Sequence, residues 1–334
     1  MPSFISSRRR VLLFAILGIA LFSALVLKLG PAKIGAEIEH VGWTFGLALA
    51  VNFVSQCTSA RGLSWCLHET GIDIPFFRLW TSRVCGEAVN TLTPIGFLGG
   101  DPARIMILKA SCGGINSSAG VILDRGIQIL STAILIILAA VATSIKMALP
   151  RTMEWAVAVA VLAAVLVVLF LFRIWEIGPV QMIRKICTPI LPESIQQKID
   201  WPKLQETDER IRQFSQHDRR HFWFALGWQL LTRALGILEI WIIGSRLTPR
   251  FDALGSLILS GLTPAIGLTF AIFPGAVGVL EGGYGVVFYF MGIEPALGIS
   301  LQIIRRVRGL VWSVVGLGLL ARYKVKPSTV LSNS

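Results

Sequence analysis

Apolar runs of membrane length, repeated along most of the chain, constrain this sequence more than any other feature. Residues 11–29, 41–59, 118–145, 154–172, 221–244, 253–273 and 295–320 are dominated by aliphatic and aromatic side chains. A helix needs about 20 such residues to cross a hydrocarbon layer. Only helices and closed barrels satisfy their own backbone groups there. Of the 334 residues, 54% are hydrophobic and 15% charged, with a mean hydropathy of +0.70. The expected fold class is therefore all-α: a polytopic transmembrane helix bundle of about eight passes, with one or two re-entrant or broken helices. Residues 11–322 are expected to form a single integral membrane domain. The first run lacks a small-residue cleavage site, so it reads as a retained span rather than a signal peptide.

The charges give the expected orientation. The formal net charge is +12. Arg8, Arg9 and Arg10 precede the first span, and Arg322, Lys324 and Lys326 follow the last. By the positive-inside rule both termini, 1–10 and 323–334, are cytoplasmic and the chain is multi-pass in the cell inner membrane. Residues 173–220 hold nine Lys/Arg and seven Asp/Glu. They read as a cytoplasmic amphipathic loop, too short to carry a core of its own. The basic balance suits anionic lipid headgroups. No basic-aromatic motif sits on a soluble domain, so no nucleic acid is expected as a partner. Cys57, Cys66, Cys85, Cys112 and Cys187 have no CxxC spacing and read as small buried hydrophobes. His40, His68, His217 and His221 are scattered. No metal, cofactor or catalytic constellation stands out.

Two segments depart from the apolar pattern. The block 86–104, GEAVNTLTPIGFLGGDPAR, carries Glu87, Asn90, Asp101 and Arg104 among glycines and a proline. A charge at membrane depth costs roughly 2.5–3.5 kcal/mol on insertion scales. Broken backbone survives there only against protein or a wet cavity. Residues 76–97 therefore read as a re-entrant or half-buried hairpin, followed by a short helix at 103–111. The second segment, 276–291, is short and rich in glycine. Pro94-Ile-Gly96 ahead of Asp101 has an echo in Pro274-Gly275 ahead of Glu281. Paired interruptions in two halves of a membrane protein point to a transport site between repeats; a chance likeness is the other reading.

Several side chains qualify as substrate-binding candidates, each with a plainer alternative. Asp101 and Arg104 share a helix face, where they either pair or bind phosphate with free backbone N–H groups. Asp101 is also expected to cap its helix, with Pro102 at the first position. Glu87 needs a partner, either Arg83 one turn back or an arginine of another helix. Asp124 and Arg125 are adjacent and point about 100° apart, so they meet different neighbours, or Arg125 snorkels to the interface. Gln229 and Arg233 share one face of 221–244, with Glu239 deeper on another. Glu281 repeats the logic of Asp101. Arg305, Arg306 and Arg308 cluster in an apolar block, with Arg305 and Arg308 one turn apart.

The block 86–104, the run Leu123-Asp-Arg-Gly126 and the block 273–283, FPGAVGVLEGG, resemble the integral membrane region of the lysylphosphatidylglycerol synthase/flippase family. The resemblance spans about residues 10–322. Two-domain members carry a soluble aminoacyl-transferase domain after the membrane region. No such domain is expected here, so the resemblance implies a lipid-handling protein, not an enzyme. Residues 225–244 and 305–308 also look similar to stand-alone relatives associated with hopanoid biosynthesis. Other stand-alone relatives are linked to polyprenyl-sugar pathways.

Two main readings follow. The first is a flippase-like protein that moves or binds a polar-headgroup lipid: an aminoacyl-phospholipid, a polyprenyl-linked lipid or a hopanoid. Arginines would attract the phosphate, while Glu87, Asp101 and Glu281 would pair with them when the site is empty. The second is an intramembrane enzyme or accessory subunit of hopanoid or lipid-linked glycan biosynthesis. A scaffold held by salt bridges is the third. The partners expected are membrane lipids and, in the second reading, lipid-biosynthesis enzymes. Small-residue faces also permit a homo-oligomer.

Overall fold

The computed structural model describes residue 39 and residues 41–68, 71–92, 100–147, 150–187, 201–217, 219–269 and 278–322. The expected span at 11–29, the basic N-terminus, the tail at 323–334, Pro94 to Gly99 and Phe273 to Gly275 lie outside these residues. Eleven helices are described: α1 (Trp43–Cys66), α2 (Phe76–Leu92), α3 (Gly100–Cys112), α4 (Gly114–Lys146), α5 (Arg151–Ile177), α6 (Pro179–Cys187), α7 (Trp201–His217), α8 (Arg219–Leu247), α9 (Ala253–Thr269), α10 (Val279–Phe290) and α11 (Pro295–Arg322). There is no strand among the described residues, and the all-α bundle is as expected. Parts of α4, α5 and α8 are long and apolar enough to cross a membrane. The helix α5 shows why a bilayer is required. Val159, Leu162, Leu166, Leu169 and Phe170 are all more than half exposed, a surface no water-soluble monomer presents.

The helices fall into two sets of four with a shared plan. In each, a long helix (α1 or α8) leads into two short antiparallel helices (α2–α3 or α9–α10) and then a second long helix (α4 or α11). Helices α1 and α8 pack against each other and run antiparallel. Thr58 bonds Thr232 at 2.8 Å, and Trp65 stacks on Phe224 near one end. Ala48, Ile240 and Ile243 share a core near the other. Around this pair the sets interlock: α4 packs on α9, and α11 packs on α2. This is the contact pattern of an approximate two-fold whose axis lies across the helices.

Small residues make the interlocking possible. A Cβ on Gly316 of α11 would stand 2.6 Å from Ala88 Cβ and 2.7 Å from the Val84 carbonyl oxygen of α2. Gly261 of α9 meets Ala139 and the Leu135 carbonyl of α4 in the same tight way. Apolar burial does not drive helix association in lipid, so close approach and polar bonds must. Cys85 adds one such bond, to the Gly316 carbonyl oxygen at 3.3 Å. With Cys66 and Cys112 it is buried, as expected of small hydrophobes, whereas Cys57 is only half-buried.

The described part of 173–220 forms the end of α5, the short α6, the polar α7 and the first two residues of α8. Gly178 turns the chain between α5 and α6 at φ +100°. Asp208 of α7 then accepts the first free N–H groups of α6, from Val180 and Gln181, both at 2.8 Å. An acceptor at a helix N-terminus satisfies donors the helix cannot. Ile211 and Phe214 anchor α7 against Trp175 of α5 and Leu226 of α8.

Candidate functional site

Buried charge gathers at two places, one in each set of helices, and both lie beside the breaks in the helix pairs.

In the first set, Gly86 lets α3 lie directly on α2. A Cβ there would stand 2.6 Å from Arg104 Cγ and 3.2 Å from the Gly100 carbonyl oxygen. Asn90 Oδ1 accepts the Gly100 N–H at 2.8 Å. This corrects the expected cap. The helix α3 begins at Gly100, Asp101 lies inside its first turn, and Asn90 serves a leading N–H instead. Asp101 is drawn elsewhere because two guanidinium groups reach it. Arg125 Nε and Nη2 donate to its two oxygens at 2.9 Å each, a bidentate geometry. Arg104 Nη1 donates to it at 3.2 Å.

Arg104 itself is fully buried and donates through Nη2 to Asp124 of α4. Asp124 also accepts from Gln128 at 2.5 Å and from Gln229 of α8 at 2.8 Å. As expected, Asp124 and Arg125 meet different neighbours, and Arg125 is held by Asp101 rather than reaching for the interface. Gln229 and Arg233 both turn to α4. Arg233 donates to Thr132 Oγ1 at 2.7 Å, to the Gln128 carbonyl at 3.2 Å and to Ser131 Oγ at 3.3 Å. Glu87 is a second correction: its oxygen accepts from Gln56 of α1, not from Arg83. Arg83 has no carboxylate oxygen within 4.0 Å among the described residues.

In the second set, Glu239 of α8 is almost wholly buried and lies between two arginines of α11. Arg308 Nη1 donates to it at 2.5 Å, and Arg305 Nε stands 3.6 Å away. Arg305 Nη1 donates to the Tyr284 hydroxyl of α10, which bonds Thr263 of α9 at 2.7 Å. Glu281 accepts from Arg306 Nε and, at 3.2 Å, from its Nη2. It also accepts the Gly278 N–H at 2.7 Å, closing the start of α10. So Glu281 does what was expected of Asp101: it caps its helix and binds an arginine.

The two clusters correspond. Asp101 and Glu281 are separated by the same 180 positions as Pro94 and Pro274. Asp101 pairs with Arg125, 24 residues on; Glu281 pairs with Arg306, 25 residues on. Three residues past each acid, Arg104 meets Asp124 at a separation of 20, and Tyr284 meets Arg305 at 21. The helix α8 joins the clusters, since Arg233 and Glu239 are six residues apart, about 9 Å along the axis.

All eleven candidate residues are thus placed. Asp101, Arg104, Asp124, Arg125 and Arg233 fall in the first cluster, with Asn90 and Glu87 at its edge. Glu239, Glu281, Arg305 and Arg308 form the second. Gln56, Thr263 and Tyr284 were not foreseen; each is a polar group inside an apolar helix, and that was the signal available. No group of three metal-ligating side chains occurs among the described residues.

Membrane-length apolar helices with charges buried between them are the architecture of an integral membrane domain. The chain belongs to the family described as the lysylphosphatidylglycerol synthase TM region, which it matches over residues 11–318. It is similar to a UPF0104 membrane protein of Methanothermobacter thermautotrophicus, 22% identical over 324 residues, covering 92% of this chain and 93% of that one. It is likewise 22% identical over 273 residues to a UPF0104 membrane protein of Pyrococcus horikoshii, covering 78% and 81%. No solved structure matches the chain.

Proposed function

We propose that the protein is a translocator of polar-headgroup lipids rather than an enzyme. One observation carries the reading: two interlocked, oppositely running sets of helices, each with a buried ion-pair cluster beside its break. Inverted repeats with discontinuous helices are the plan on which many transporters expose one site alternately to two sides.

The orientation rule then sets the path of the chain. With the apolar run 11–29 counted as one crossing on its sequence alone, α1 runs back to the cytoplasm. The pair α2–α3 enters from the cytoplasm. Helices α4 and α5 cross out and back, α6 and α7 stay in the cytoplasm, and α8 crosses outward. The pair α9–α10 enters from the outside, and α11 returns to a cytoplasmic tail. The headgroup passes between the clusters, while its tails remain in the bilayer, where they lose no apolar contact. The buried carboxylates are held by arginines, which argues against a free general base. The family implies an aminoacyl-phospholipid, a polyprenyl-linked lipid or a hopanoid as cargo.

The test is purified protein in vesicles that contain a headgroup-labelled lipid, with label reachable from outside as the readout. Protein-dependent exchange that Arg305→Ala abolishes at equal protein abundance is the expected result. No exchange of any anionic, aminoacylated, polyprenyl or hopanoid lipid overturns the reading.

A further inference from the structure

The helix α5 has no counterpart in the two sets of four. It packs on α4, α6 and α7, and near its start it stands off the α9–α10 pair. Between them lies a groove of about 330 Å³. Its floor is the α4–α9 contact, where a Cβ on Gly261 would stand 2.3 Å from Ala139 Cβ. One wall is Leu262, Gly283 and Val287, and the other is Ala156 and Ala160 of α5. Thr143 is the only polar side chain among its described lining residues, and its hydroxyl donates to the Ala139 carbonyl at 2.7 Å. A buried water needs about two to four polar partners, so this groove is no seat for water. Left empty, an apolar space forfeits packing in proportion to its volume.

A second space, of about 560 Å³, flanks the same α4–α5 seam and shares Ala140, Met147 and Val157 with the first. At about 100° per residue, Ile136, Ala139 and Thr143 lie to one side of Ala140 on α4, and Ile137, Val141 and Ser144 to the other. The seam is thus a ridge with a groove on each side. The α4 lining of the first groove runs from Ile136 to Met147, about 16 Å along the axis. That is the depth of one leaflet, half of a hydrocarbon core about 30 Å thick. Charge gathers at the turn end of the grooves. Lys146 and Arg151 flank the turn, Glu154 lines the second space, and Asp252 pairs with Lys146. The other end of the first groove, at Ile136, Ala265 and Gly283, is apolar.

We propose that the α4–α5 hairpin seats one diacyl glycerophospholipid of the leaflet on its turn side, with a tail in each groove and the phosphate beside Lys146 and Arg151. Three features name this occupant: grooves one leaflet deep, two of them along a single ridge, and cations at the end where a headgroup lies. The tail in the first groove completes the contact between α5 and the α9–α10 pair, which the protein's own side chains leave open. In lipid a bound tail gains packing rather than escape from water, so the seat selects by fit. Leu262 and Gly283 of the groove wall are followed directly by Thr263 and Tyr284, which bond Arg305. The tail therefore lies along the back of the second cluster. This seat requires only the membrane setting and stands whether or not the protein moves lipid across.

The experiment treats the purified full-length protein in detergent with phosphatidylglycerol carrying a photoreactive diazirine in one tail, and maps the adducts by peptide mass spectrometry. Adducts should concentrate on Ala156 to Ala160 of α5 and on 258–265 and 283–290 of α9 and α10. They should saturate with dose and be displaced by unlabelled dioleoyl phosphatidylglycerol, and less readily by its single-tailed lyso form. Ala160→Phe, which fills the first groove, should abolish those adducts. Adducts on the outward residues Leu162, Leu166 and Leu169, exposed on α5, should persist as the internal control. A melting temperature close to wild type shows that the variant is folded; Ala156→Leu, on the lip of the same groove, serves if it is not. Adducts spread along α5 in proportion to exposure, without saturation, overturn the proposal, as does groove labelling undiminished in a folded variant. Displacement by the lyso form as readily as by the diacyl lipid overturns the two-tailed seat. A dimer in detergent whose groove takes no label gives the groove to a second copy of this chain and overturns the lipid assignment.

Discussion

The two clusters occupy corresponding places and share one ion pair, a short-helix acid with a long-helix arginine, but differ in the next. In the first, the long helix α4 supplies a carboxylate, Asp124, and the short helix supplies its cation, Arg104. In the second, the long helix α11 supplies the cation, Arg305, and the short helix supplies the hydroxyl of Tyr284. The balancing carboxylate comes from α8, where Glu239 serves two arginines. Burial differs too. Arg104 and Asp124 have side chains 2% and 1% exposed, whereas Arg305 and Arg308 keep 15% and 14%. The first cluster is a sealed joint with spare cations at its edge, and the second is a more open joint in which the counted cations are all engaged. The backbone plan is thus free to repeat while the charges that lock it are redistributed.

The largest expected effect breaks the sealed joint. Asp124→Leu leaves Arg104 buried without its main partner and strips acceptors from Gln128 and Gln229. Removing one member of a buried pair costs about 3–5 kcal/mol. Unfolding in detergent should show a loss of that size, and adding Arg104→Met should recover much of it. If the double substitution is as unstable as the sum of the singles, the pair is not the joint described. Glu239→Leu is next and should cost less, about 2–3 kcal/mol, because the two arginines it strands are less deeply buried than Arg104. A loss equal to that of Asp124→Leu would erase the distinction between joints. Tyr284→Phe removes one hydroxyl between Thr263 and Arg305, and a polar bond inside a membrane bundle is worth about 0.6–2 kcal/mol. The smallest effect lies outside both clusters, at the Lys146–Asp252 pair joining the ends of α4 and α9. Burial pushes the Asp252 carboxyl up, but the Lys146 ammonium and the Gly255 N–H outweigh it and hold it below its ordinary value. A depressed carboxyl stabilises above the ordinary carboxylate range and loses that contribution as pH falls through its lowered value. The acid limb of a stability–pH curve should therefore flatten slightly in Asp252→Asn, and a change at neutral pH larger than that of Tyr284→Phe would contradict a solvent-screened pair.

Much of this was legible in the sequence because lipid punishes charge. Glu87, Asp101, Arg104, Glu239 and Arg305 stood out against their apolar surroundings, and proline and glycine marked both helix breaks. The pairing was less legible. Arg83 precedes Glu87 by one turn, the usual spacing for a pair, yet Glu87 accepts from Gln56, 31 residues earlier. Asp101 followed by Pro102 has the look of a helix start, but two converging guanidinium groups outbid a backbone N–H. The interlocking of the two sets was invisible for a different reason. It rests on Gly261 and Gly316, ordinary glycines in apolar runs whose partners lie on helices more than 100 residues away. Tyr284 likewise reads as one more aromatic until α11 places Arg305 against it.

The central claim is that the two helix pairs open to opposite sides of the membrane, and side-specific labelling tests it most directly. In a chain freed of its five native cysteines, single cysteines go in at Ala110, exposed near the end of α3, and at Glu294, exposed between α10 and α11. A membrane-impermeant maleimide is then applied to intact cells and to permeabilised ones. The account predicts that Glu294→Cys reacts in intact cells and Ala110→Cys only after permeabilisation. Reaction of both from the same side would contradict the inverted arrangement, and with it the lipid path between the clusters.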